Sequence, residues 1–214
     1  MSGVYLFVNW LFLLCAFWLA TPSGVSPLLH AVENRYNKTQ SLRLDFTETY
    51  AAGRRPVQSE AGILTLQKPG KMRWEYRTPV GKLFVSNGKD VYLYTPAENR
   101  AVRSKLKETE DMRAPLAFLL GKLSFEKEFK SAVSREEGGE TWIVAEPKSA
   151  NLAYTRVEFQ ALASGEIRQV RVTGQDQSRL SFTFANEVLN PAVNAGQFVF
   201  KVPVGVEIVT ETER

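Results

Sequence analysis

His30 and Cys15 are the only histidine and the only cysteine in 214 residues, and this removes most catalytic chemistry at once. A Ser–His–acid triad, a multi-histidine zinc site and a Cys–His pair all need residues the chain does not have. No G-x-S-x-G elbow, phosphate-cradling loop or dinucleotide fingerprint is present. The 23 acidic residues could supply two carboxylates for glycoside chemistry. In a chain with that many acids some pair is always available, so the possibility carries no information. The residues point to a protein that is not an enzyme and needs no cofactor or metal.

What the chain has in surplus is large apolar side chains at strand spacing. Met72, Trp74 and Tyr76 alternate with Arg73, Glu75 and Arg77, the period of a strand with one buried face. Leu44 and Phe46, Leu64 and Leu66, and Phe182 and Phe184 offer the same kind of face on other predicted strands. Leu116, Phe118 and Leu119 add an apolar stripe in a segment without alternation. Such faces are either the core beneath an ordinary sheet or the wall of a cavity, and a filled barrel and a ligand-holding one share the same alternation. Both readings stay open at this point.

The elements that would position these residues are legible from turns and periodicity. Ser26-Pro27 is a helix start, with Leu28, Leu29, Val32 and Tyr36 on one stripe to about residue 38. Strands are expected at 42–47, 60–67, 71–77, 82–86, 90–95 and 100–103. Asn87-Gly88 marks one reversal, because both residues tolerate positive φ. Residues 105–129 read as an interrupted helical insert, with Pro115 in the first turn of a helix that Gly121 stops. Strands resume at 130–136, 140–146, 153–160, 166–173, 178–185 and 197–202. About eleven short strands with frequent turns predict a mainly β fold, a strongly curved sheet or barrel covered by helices.

Residues 4–20 are apolar apart from Asn9 and run into the small, turn-prone TPSGVS. Residues 1–23 therefore read as a secretory signal peptide cleaved between 20 and 26, a retained anchor being the alternative. Residues 24–214 then form a single domain without cysteine, held by its core alone. The net charge of +4 is scattered among acids, without a like-charge run, which argues against a nucleic-acid partner.

The order of landmarks from Lys68 to Pro96 resembles that of the LolA family of periplasmic lipoprotein carriers. Lys68-Pro69, Trp74, Pro79, Ser86-Asn87-Gly88 and Tyr94-Thr95-Pro96 stand at that family's spacing without a gap. Leu44-Asp45-Phe46-Thr47-Glu48 is similar to its first strand. Phe198-Val199-Phe200-Lys201-Val202-Pro203-Val204-Gly205-Val206 is similar to its closing F-x-F-x-x-P-x-G-V. The likeness spans about residues 28–209. It implies an incomplete, unclosed antiparallel β-barrel with a helical lid, whose apolar interior takes up lipoprotein acyl chains in the periplasm. On that reading the lipid contacts are Leu44, Phe46, Leu64, Leu66, Met72, Trp74, Tyr76, Phe182 and Phe184, with Leu116, Phe118 and Leu119 from the lid. Lys68 stands where the family usually has arginine and would latch the lid. The partners implied are acylated lipoproteins, an inner-membrane ABC-type release complex and, where one exists, an outer-membrane acceptor, with the carrier itself a monomer. Carriage of another lipid or glycolipid, or sensing of a lipoprotein or peptide, are the alternatives.

Overall fold

The computed structural model describes residues 26–53, 57–106 and 124–210. The expected signal peptide and most of the helical insert, including Leu116, Phe118 and Leu119, lie outside the described residues. Among those described, no helix is long and apolar enough to cross a membrane.

Helix α1 spans Ser26–Lys38, with Arg35 and Lys38 in its last turn, where cations offset the negative end of the helix dipole. The strands are β1 Ser41–Ala51, β2 Gln58–Gln67, β3 Lys71–Thr78, β4 Leu83–Asn87, β5 Asp90–Thr95 and β6 Arg100–Lys105. After the undescribed stretch, a single helical turn, α2 (Phe125–Glu128), leads into β7 Phe129–Glu137, β8 Glu140–Pro147, β9 Tyr154–Ala161, β10 Ile167–Gly174 and β11 Arg179–Leu189. β12 follows at Glu207–Thr210.

These strands form one sheet in the order β12-β6-β5-β4-β3-β2-β1-β11-β10-β9-β8-β7. Two meanders are thus joined side by side where β1 meets β11, Phe46 opposite Phe184. β12 and β7 are the two edges and do not pair, so the barrel is unclosed as expected. Alternation places Leu42, Leu44, Phe46, Leu64, Leu66, Met72, Trp74, Tyr76 and Phe84 on one face. The other meander adds Ile143, Phe159, Val170, Val172, Leu180, Phe182 and Phe184. Val32 and Tyr36 of α1 belong to the same buried cluster, so the helix lies over this inner face.

The structure corrects the sequence reading in four places. Among the described residues there are twelve strands rather than about eleven, and they are not all antiparallel, because β12 runs parallel to β6. Residues 197–202 are not a strand. Ala195–Phe198 is a 3-10 turn packed on β3 and β4, and the chain beyond it crosses the outer face as an unpaired strap. Phe198 is fully buried there, and Phe200 stacks on Tyr92 with ring centroids 5.1 Å apart. The apolar alternation reflects burial against a sheet, and Pro203 has no N–H with which to extend a ladder. The insert expected to be helical over 105–129 is already strand at Lys105 and again at Phe129, leaving Phe125–Glu128 as its only described helix. At Asn87-Gly88 only Gly88 has positive φ (96°). Asn87 ends β4, and its side-chain oxygen accepts from the backbone N–H of Lys89 and Asp90, both at 2.9 Å.

Gly62 shows how tightly the inner face is built. Across the register it sits between Phe46 of β1 and Tyr76 of β3. A Cβ there would lie 2.1 Å from the Glu75 carbonyl oxygen, so only glycine permits this close strand approach. Phe46 and Tyr76 meet edge to face at 5.1 Å between ring centroids, covering the gap that the missing side chain leaves.

Candidate apolar binding site

All nine of the predicted lipid-contact residues that fall among the described ones converge in one cluster. None of Leu44, Phe46, Leu64, Leu66, Met72, Trp74, Tyr76, Phe182 and Phe184 is more than 5% exposed. Their centre is an aromatic nest. Phe46 stands edge-on to Trp74 at 4.8 Å, Trp74 lies 5.3 Å from Phe182, and Phe182 stacks on Phe184 at 6.0 Å. Within this nest the indole Nε1 of Trp74 is buried and has no hydrogen-bond partner among the described residues.

One end of the nest is polar. The Tyr76 hydroxyl donates to Glu48 Oε2 at 2.9 Å, and Lys82 Nζ sits 4.5 Å from the centre of the Tyr76 ring while pairing with Glu60. Glu48 is a buried acid on the core face, which sequence reasoning missed. The signal was present: Leu42, Leu44, Phe46 and Glu48 share one parity in β1, so the acid had to point inward.

Helix α1 is tied over the nest by hydrogen bonds as well as by packing. Lys68 Nζ, from the β2–β3 turn, donates to the Tyr36 carbonyl at 2.6 Å. Burial lowers the Lys68 ammonium from its ordinary pKa. Arg35 Nε and Nη2 both donate to Glu187 Oε1, at 2.9 and 2.5 Å, and the Tyr36 hydroxyl donates to Glu187 Oε2 at 2.8 Å. The same hydroxyl accepts from the Ile167 N–H at 3.0 Å. Burial, reinforced by the Glu187 carboxylate, pushes the Tyr36 phenol far above the usual tyrosine range, so it stays a donor at any physiological pH. In the β9–β10 turn, Gly165 comes so close that a Cβ would lie 2.3 Å from the Ala31 carbonyl oxygen. Sequence reasoning named Lys68 as a latch on the lid, whereas the bond described here is to α1; it did not single out Arg35, Glu187 or the close contact at Gly165.

At the other end of α1 the packing opens. Leu29 and Glu33 of α1, Phe125 of α2 and Phe129 and Ala132 of β7 border a cleft of about 560 Å³ with Lys148 on its rim. Phe125 and Phe129 belong to the core cluster, so the cleft floor is continuous with the nest. Glu33 Oε1 accepts from the Phe125 N–H at 2.8 Å, linking α1 to α2 across it. Chemically the site is a large apolar face under a hydrogen-bonded helix. Among the described residues no group of three or more potential metal ligands converges anywhere.

Comparison with known proteins fits this geometry. Two solved structures resemble the chain at a TM-score of 0.50. One is an uncharacterized conserved protein from Thermus thermophilus, at 13% identity, covering 87% of this chain and 98% of that one. The other is a DUF1329 family protein from Desulfovibrio piger, at 12% identity, covering 82% and 97%. At such identities they speak to the fold alone. In sequence, the chain is 28% identical over 200 residues to an outer-membrane lipoprotein carrier protein from Dechloromonas aromatica, covering 90% of this chain and 95% of that protein. It is 29% identical over 176 residues to the protein of that name from Pseudomonas aeruginosa, covering 82% and 84%. The family model described as outer membrane lipoprotein carrier protein LolA matches residues 37–201. With the greater part of its length matched, the chain belongs to the LolA family.

Proposed function

We infer that this protein is a periplasmic carrier that binds the acyl chains of lipoproteins and moves them from the inner to the outer membrane. The observation that carries the reading is the convergence of nine apolar residues on one sheet face beneath a helix fastened by side-chain hydrogen bonds. A carrier must keep its greasy face covered between loads, and a helix fastened over that face does so. Each acyl methylene buried contributes roughly 0.8 kcal/mol, so two or three chains provide a strong drive that the membrane matches. Transfer therefore depends on a closed form close in energy to the loaded one. In this scheme cargo enters by displacing the side chains that cover the nest, with Leu116, Phe118 and Leu119 of the undescribed insert serving as lid. The protein acts as a monomer, receives cargo from an ABC-type complex in the inner membrane and passes it to an outer-membrane acceptor where one exists.

Lys68 is the latch that holds α1 over the nest in this account, through its hydrogen bond to the Tyr36 carbonyl. Lysine offers one compact charge where arginine would offer a planar fork, so its hold is single-point. Lys68→Ala is expected to cost about 1 kcal/mol, the contribution of one such hydrogen bond, and to speed uptake of a fluorescent acyl probe. Lys68→Arg retains or tightens closure. Urea titration and stopped-flow fluorescence read both effects. The reading as a whole is tested by recovering the protein from the periplasm and weighing it by native mass spectrometry. A one-to-one complex with an acylated protein is expected; only unloaded protein after lipoprotein export is blocked at the outer membrane would speak against it.

A further inference from the structure

On the side of the sheet opposite the nest, the strap that follows β11 leaves a cleft of about 230 Å³ between itself and β1 to β3. Register sets the cleft floor: Arg43 of β1 stands opposite Thr65 of β2, and Thr65 opposite Arg73 of β3. Alternation points all three away from the core, because their chain neighbours Leu44, Leu64 and Trp74 are buried on the inner face. Two strand spacings put the arginine backbones roughly 10 Å apart, so the long side chains can close on one small group between them. Pro191, Ala192 and Val193 of the strap form the opposite wall. The acids on this face are already engaged. Asp45 pairs with Arg77 at 3.6 Å and accepts from Asn186 Nδ2 at 2.7 Å. Glu75 pairs with Arg73 Nε at 3.0 Å, and Arg73 Nη1 donates to the Gln197 carbonyl at 3.2 Å. Arg43 and the Thr65 hydroxyl, by contrast, have no hydrogen-bond or ion-pair partner among the described residues. A lone surface arginine serves solubility and nothing more. Arg43 differs in facing a walled cleft beside a second arginine and an unengaged hydroxyl.

We propose that this cleft binds a phosphate ester bearing a small polar organic group, as in glycerol phosphate, between Arg43, Thr65 and Arg73. The planar fork of Arg43 donates two parallel N–H bonds to two phosphate oxygens. The Thr65 hydroxyl donates to a third, and Arg73 adds the Nη2 that its bonds to Glu75 and Gln197 leave unused. Donors converging from three strands suit a tetrahedral anion better than a planar carboxylate. The cleft is larger than a bare ion, and its Pro191–Val193 wall accepts the carbon part of the ester. A soluble ester and the headgroup of an anionic phospholipid offer the same chemistry. Once bound, the phosphate ties the strap to β1–β3 and steadies the turn at Ala195–Phe198. The site lies behind the sheet, apart from the apolar nest, and does not depend on the carrier reading.

The test titrates the purified protein with glycerol 3-phosphate, with sodium chloride at equal ionic strength as the reference. Nitrogen-15 spectra follow the Arg43 Nε–H and the backbone amides of the strap. These signals should shift to saturation with glycerol 3-phosphate and not with chloride, and amide exchange over Ala195–Phe198 should slow. Arg43→Gln should weaken binding about tenfold, the effect of losing a charged donor. Arg43→Lys keeps the charge without the fork and should weaken it by about threefold. Because Arg43 bonds to nothing in the fold, both variants should keep the wild-type urea midpoint. Phosphatidylglycerol vesicles separate the two sources. Cosedimentation that free glycerol 3-phosphate competes away identifies a lipid headgroup as the ligand; saturable shifts without cosedimentation identify a soluble ester. A response no larger than that to chloride, or an affinity unaltered in Arg43→Gln, overturns the site and leaves the carrier reading intact.

Discussion

Gly165→Val should unseat α1 and lower stability by about 3 kcal/mol, more than any surface change in this protein. Gly165 has φ of +79°, which a β-branched residue adopts only at a cost of roughly 1–2 kcal/mol. The larger part is steric. An added Cβ would lie 2.3 Å from the Ala31 carbonyl oxygen and 2.8 Å from the Val32 nitrogen, and both are helix backbone that cannot rotate aside. Either the turn or the helix must retreat, and retreat of the helix uncovers Val32 and Tyr36 of the core. Gly138→Val is the matched control: its φ is +63°, but nothing lies within 4 Å of the added atom. The difference between the two in urea denaturation isolates the helix contact from the backbone penalty. Gly165→Val alone should also brighten a dye that binds exposed apolar surface.

Glu187→Ala should destabilise by about 2 kcal/mol, and it should do so through α1 specifically. The Glu187 side chain is 5% exposed and accepts three hydrogen bonds, two from Arg35 and one from Tyr36. Removing it leaves a guanidinium and a phenol facing a gap, and breaking one side of a buried pair typically costs about 3–5 kcal/mol. Arg35 keeps about a fifth of its surface in water, and Glu166 lies 3.8 Å away, so the loss falls below that range. Glu187→Gln keeps one acceptor oxygen and should lose about half as much. Hydrogen exchange should quicken along residues 30–38 in Glu187→Ala, while β1–β3 amides keep their protection.

The sequence carried the inner face almost completely because period two is unforgiving. Once Met72, Trp74 and Tyr76 are assigned to one side of a strand, a slip by one residue would bury Arg73, Glu75 and Arg77 instead. That logic extends to Leu44, Phe46, Leu64 and Leu66, and it would have reached Glu48 had the predicted strand not stopped at residue 47, where β1 runs on to Ala51. Sequence could not show what lies far apart along the chain. Arg35 and Glu187 are separated by 152 residues and meet only because β11 crosses back to lie beside β1. The strap from 190 to 206 misled for a related reason. Phe198 and Phe200 have the spacing of a strand, but their partners are the outer surface of β3 to β5 and not a neighbouring ladder. Gly165 reads as a turn glycine in any sequence, and its contact with the α1 backbone exists only in three dimensions.

The most direct measurement for the account is release of lipoproteins from energised spheroplasts. The purified protein is added, the membranes are removed, and the supernatant is probed for acylated lipoproteins and their stoichiometry. The account predicts a soluble one-to-one complex, lost when Trp74 and Phe46 are both replaced by charged residues. Lipoproteins that remain on the membrane, with free lipid or nothing bound to the protein, would contradict it.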